Sequence, residues 1–219
     1  MSRAQYSFWG SLSPLGGLTG GGLLIMASGR LSWAITVAGN IFWVYTLSVL
    51  VFSLLSTISS KKIFPAGGKK AIFTCIASFF SSVYLLFVWF LCPFAAFEAL
   101  VPLLLVPVFC SGSGIYERMV SAPVTSHPDI AGYVSEAFSQ AAVMAGLLIA
   151  FSVVREPFSY CSLSFPGSHQ GMITIMYFKA GSFFPISIFA SSAGALLLLG
   201  YIAGVYQYGR NVFSHGDDQ

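Results

Sequence analysis

Charge is so sparse in this chain that it works as punctuation. Six stretches, 4–29, 31–60, 71–97, 99–116, 137–154 and 180–209, contain no Asp, Glu, Lys or Arg. A helix needs about 20 mainly apolar residues to cross a bilayer, and ionised side chains near its centre are costly, so such stretches are candidate membrane segments. Charged residues make up 8% of the chain, against roughly 25% in soluble domains, and hydrophobic residues make up 56%. With a mean hydropathy of +0.82, there is more apolar surface than a domain of this size can hide, and lipid must cover the remainder. The expectation is an all-α polytopic membrane protein.

The six segments are not alike. The second, third and sixth read as plain spans, and the fifth is expected to begin near Ile130 with Glu136 at its polar end. The first carries Pro14 and five glycines (Gly16, Gly17, Gly20, Gly21, Gly22). The fourth carries Pro102 and Pro107 before Cys110, then Gly112 and Gly114. Glycine and proline weaken a helix by about 1 and 3 kcal/mol per residue, so both segments are expected to be broken.

Broken, span, span, repeated, gives two halves of three segments, and an odd number per half requires opposite insertion. Interrupted segments at matching positions are the mark of an inverted repeat with its site near the midplane. Six transmembrane segments are thus expected as two inverted three-helix repeats, about 11–92 and 99–209, with a short polar tail over 210–219. The alternative is two glycine-rich helices packed closely on their neighbours.

The loop after the second segment holds Lys61, Lys62, Lys69 and Lys70 without an acidic residue, which places it in the cytoplasm by the positive-inside rule. Arg3, Arg118 and Arg210 then share that side, Arg30, Arg155 and Lys179 take the other, and both termini are cytoplasmic. No basic run supports nucleic-acid binding. The scattered cysteines (Cys75, Cys92, Cys110, Cys161) form no CxxC pair. His127, His169 and His215 fall in loops and tail, and no phosphate loop, HExxH or GxSxG occurs. Catalysis by this chain alone is not expected.

Four features remain. Cys110, at the end of a segment expected to be broken, is placed where backbone and side chain can converge on a ligand, although a lone buried cysteine is usually packing. The Glu117–Arg118 pair follows it. Arg155–Glu156 reads as a membrane-edge anchor or helix–helix ion pair, and Glu98 as a residue that meets water. The aromatic stretches at 42–45, 84–90 and 201–208 read as lipid-facing packing and interfacial anchors.

The stretch 102–117, with Pro102, Pro107, Cys110, Gly114 and Glu117, resembles a family pattern: a Pro-Leu-Ile run ending in Asn-Cys, a glycine four residues on and a glutamate three beyond. That pattern belongs to the small six-helix membrane subunits of the ion-translocating Rnf and Nqr electron-transport complexes. Ser53-Leu54-Leu55, Ile76-Ala77-Ser78-Phe79, Arg155-Glu156 closing the fifth helix and a Ser162-Leu163-Ser164-Phe165 turn keep the same order. The likeness runs from about Leu15 to Arg210 and is nearest to the E-type subunit of Rnf, equivalent to the D-type subunit of Nqr.

The resemblance implies a subunit of a bacterial inner membrane with both termini cytoplasmic, paired with an inverted sister subunit. It also implies a 2Fe-2S cluster shared between the two, ligated by one cysteine from each broken helix, that passes electrons while the complex moves sodium ions or protons. Cys110 is the one matching ligand. The chain departs from the pattern in two places: the first-helix cysteine is missing near Gly20 and Gly21, and Phe109 stands where the family has asparagine. Three readings stay open: a cluster-holding subunit with an altered ligand set, a redox-inactive structural subunit, and a small-solute permease. If Cys92 and Cys161 are close on an external face, they form a disulfide in an oxidising compartment.

Overall fold

The computed structural model describes residues 14–58, 66–112, 130–167, 172–177 and 187–214. In chain order these form α1 (Pro14–Ala27), α2 (Leu31–Ile58), α3 (Ala66–Leu91), α4 (Pro93–Glu98), α5 (Leu100–Ser111), α6 (Ile130–Tyr160), a hairpin of β1 (Ser162–Phe165) and β2 (Ile173–Tyr177), a short 3-10 turn (Ser187–Ala190) and α7 (Ser192–Ser214). The described residues are mostly helical, and among them three stretches are long and apolar enough to cross a membrane: Leu31–Ser56, Gly68–Leu91 and Ile130–Tyr160.

α2 is the central post. Against α6 it runs antiparallel: the Leu31 N–H meets Glu156 at one end, and the Tyr45 hydroxyl meets Gln140 further along. Against α3 it is also antiparallel, through Tyr84 to Thr36, Asn40 to Ser81 and an edge-to-face Phe52–Phe73 pair at 5.4 Å. Ile41, Val44, Tyr45 and Val49 of α2 are buried with Phe73, Leu103, Met144 and Leu148 from its neighbours. Phe79, Leu86, Phe87 and Phe90 point outward from α3, as the surface of a helix facing lipid should.

α1 and α5 are short, about 21 and 18 Å at 1.5 Å per residue, against a hydrocarbon core of about 30 Å. They pack on each other. α1 ends, and α5 begins, at the end of the bundle where α2 starts: Arg155 takes the Ile25 carbonyl there, and Trp33 donates to Glu98. The two short helices are therefore antiparallel.

Several expectations need correction. Neither α1 nor the described part of the fourth segment is broken internally. Pro14 is the first described residue of α1, and the helix is continuous from there to Ala27. In α5 the helix passes through Pro107. The interruptions lie instead at the ends: at Cys92 and Ala99 on either side of α4, and between Ala27 and Leu31. Ser162–Phe165 is a strand rather than a turn, paired antiparallel with β2 with an irregularity between Leu163 and Ser164. Tyr45 faces the core rather than lipid. The fifth helix is described from Ile130 and runs past Arg155 and Glu156 to Tyr160, so that pair does not close it.

Candidate functional site

The two places where the chain buries polar chemistry lie at different levels of the bundle. At the end where α2 begins, Arg155 and Glu156 are 2% and 1% exposed. Neighbouring residues of a helix point roughly 100° apart, and the two side chains serve different partners. All five N–H groups of Arg155 are used. Nε donates to the Phe189 carbonyl at 2.8 Å, one terminal nitrogen to the Ile25 carbonyl at 2.7 Å and Ser28 Oγ at 3.0 Å, and the other to the Ala190 and Ser191 carbonyls at 3.1 and 3.0 Å. Glu156 accepts the Leu31 N–H at 2.8 Å.

A guanidinium thus sits on the last carbonyls of α1 and of the 3-10 turn, and a carboxylate on the first N–H of α2. Each charge faces the end of a helix whose partial charge is opposite. This replaces the expected membrane-edge anchor or ion pair with a buried cap that joins four elements. α7 can enter beside it because residue 194 is glycine: a Cβ there would collide with the Ile188 carbonyl. Glu98 is exposed, as expected, and accepts the Trp33 indole N–H at 2.8 Å. Arg30 lies over the Tyr160 ring at 4.9 Å.

The second place is α5. Pro107 has no N–H, so the Leu103 carbonyl loses its helical partner. Asn40 Nδ2 and Ser81 Oγ each approach that carbonyl at 3.4 Å, and Asn40 Nδ2 also donates to Ser81 Oγ at 3.1 Å. A proline in one helix has thereby become a junction of three. The Asn40 carboxamide oxygen is buried there without a partner.

On the inner side of α5, Leu103, Val106 and Cys110 are spaced as one helical stripe and all are buried, Cys110 at 0% exposure. Val101, Leu104 and Val108 form the opposite, exposed stripe. Beside Cys110, the Phe109 ring lies over α1, where a Cβ on Gly20 would be 3.1 Å from it. A Cβ on Gly21 would meet nothing within 4 Å. The structure therefore brings Gly20 of α1 against the Phe109 ring of α5.

Among the described residues, no group of three or more His, Cys, Asp or Glu side chains is placed to hold a metal ion. A 2Fe-2S cluster shared across an interface needs a thiol that reaches the surface, and the Cys110 thiol has no exposed surface. These residues fit the group poorly. None of Cys75, Cys92, Cys110 and Cys161 is in a disulfide, so Cys92 and Cys161 are not bridged. Glu117 and Arg118 lie outside the described residues.

Sequence reasoning missed Asn40, Ser81 and the capping role of Arg155. The signal for Asn40 was present, an amide within an otherwise apolar span, but its partners are 41 and 63 residues away. No protein-family model, curated protein or solved structure matches the chain.

Proposed function

We propose that the chain is a membrane subunit of an ion-translocating electron-transport complex of the Rnf/Nqr type, paired with an inverted sister subunit in a bacterial inner membrane. In this reading it has six membrane segments in two inverted halves and both termini in the cytoplasm. The observation that carries it is the antiparallel pairing of the two short helices, α1 and α5, one from each half. α2 and α6, the next helix of each half, also run antiparallel, as two oppositely inserted repeats require. The choice of complex rests on the resemblance of 102–117 and the ordered matches around it. The sidedness is supported by Lys69 and Lys70 at the start of α3, with Arg30 and Arg155 near the other end of the bundle.

A permease would need a polar cavity between the short helices, and the Phe109 ring fills that place. A groove of about 430 Å³ does occur, but among its lining residues Phe158, Ile188, Phe189, Leu197, Leu198 and Tyr201 the Tyr201 hydroxyl is the one polar side-chain group, too little to select a polar solute.

The test is affinity purification of the tagged full chain from the cells that make it, in mild detergent. Flavin- or iron–sulfur-bearing membrane subunits are expected to co-purify. Deletion of the chain is expected to abolish electron-transfer-driven sodium or proton uptake by inverted vesicles. A chain that purifies alone, with uptake unaffected by its deletion, refutes the proposal.

A further inference from the structure

We propose that the contact between Gly20 and Phe109 is a plug that makes this chain redox-silent, with Cys110 a packing thiol and not an iron ligand. The inference rests on the Rnf/Nqr-type reading, because only there is a cluster expected at this position.

Three observations converge. First, Cys110 lies on the stripe of α5 that faces its own bundle, with Leu103 and Val106, while the surface that a partner can reach is the opposite stripe of Val101, Leu104 and Val108. A jointly held iron would have to reach a sulfur completely enclosed by this chain. Second, the α1 residue against the Phe109 ring is Gly20, which supplies no ligand, and a Cβ there would stand 3.1 Å from the ring. The position lacks both the ligand and the room for one. Third, α5 is held in this rotation. The carbonyl that Pro107 frees is engaged by Asn40 of α2 and Ser81 of α3, so turning Cys110 outward would strand a buried carbonyl and expose the inner stripe to lipid.

The plug also explains why Phe109 stands beside the thiol. An aromatic ring against a glycine excludes water and ions from this level of the bundle, where non-helical or unpaired backbone needs protein around it. A redox-silent subunit of this kind keeps the shape that its partners need and leaves electron transfer to them.

The test compares wild type with Cys110→Ala in the purified full-chain assembly, by iron per complex and by electron paramagnetic resonance after reduction. Iron content and all 2Fe-2S signals are expected to be unchanged. Loss of one 2Fe-2S signal together with its iron would overturn the inference. A second arm labels Cys110 with a membrane-permeant maleimide, with the other three cysteines changed to serine. Native protein is expected to remain unlabelled, Phe109→Ala is expected to open the plug and raise labelling at least tenfold, and the iron content of Phe109→Ala is expected to stay the same. A freely labelled native thiol, or Phe109→Ala protein whose thiol stays sealed, refutes the plug. If no electron-transport subunits co-purify, the Rnf/Nqr-type reading fails while the labelling arm still decides whether the plug exists.

Discussion

The capped end of the bundle and the level of Cys110 solve the same problem in opposite ways. Both bury polar groups away from water. At the capped end, full charges are used, and each is satisfied: Arg155 spends five N–H groups on carbonyls and a hydroxyl, and Glu156 takes a free helix N–H. At the Cys110 level there are no charges, one carbonyl is shared by two long hydrogen bonds, and the rest is ring against glycine. Charge can be buried where helix ends supply complementary partial charge; along helix flanks only neutral groups and close packing are inexpensive.

Breaking the charged end should have the largest effect. Arg155→Met strands the carbonyls of Ile25, Phe189, Ala190 and Ser191, and a loss of about 3–5 kcal/mol is expected from leaving such a buried set unsatisfied. Thermal unfolding of the detergent-solubilised full chain checks it. A change under 1 kcal/mol would mean that the cap is not structural. Glu156→Gln keeps an acceptor for the Leu31 N–H but removes the charge, and should cost less, about 1–2 kcal/mol.

At the neutral level the sharper probe is coupling. Asn40→Leu should destabilise the native chain by about 1 kcal/mol, and by less when combined with Pro107→Ala, which returns an N–H to the Leu103 carbonyl. Additive effects in this cycle would show that Asn40 does not serve the proline-freed carbonyl. The smallest effects separate two adjacent glycines. Gly21→Ala meets nothing and should stabilise by up to about 1 kcal/mol through helix propensity, whereas Gly20→Ala must displace the Phe109 ring and should give little or none of that gain. Equal shifts in melting temperature for the two variants would mean that the ring yields freely.

Much of the fold was legible because lipid imposes a simple rule. Uncharged runs of spanning length become helices, and α2, α3 and α6 were readable as such. The two irregular segments were also visible as irregular, but the form of the irregularity was not. Counting Pro and Gly penalties suggested internal breaks, yet helix propensity is a weak prior that packing overrides, and α1 and α5 came out continuous and short. Ser162–Phe165 was mistaken for a turn because its strand partner, β2, lies beyond an intervening loop and the pairing is not local.

By itself the sequence determined the apolar, membrane-protein character of the chain, its helical class and the placement of the three long helices α2, α3 and α6. Those properties follow from local composition and from spacing along the chain, which a one-dimensional string records. Only the tertiary structure decided what Arg155 holds, how Leu103 is satisfied and which way Cys110 faces. The partners of Arg155 at and just beyond the end of α1, Ile25 and Ser28, are 130 and 127 residues away, and a thiol becomes buried or accessible only when a helix adopts one rotation against its neighbours. That rotation is set by the sum of contacts on all its faces, and no stretch of α5 read alone contains it.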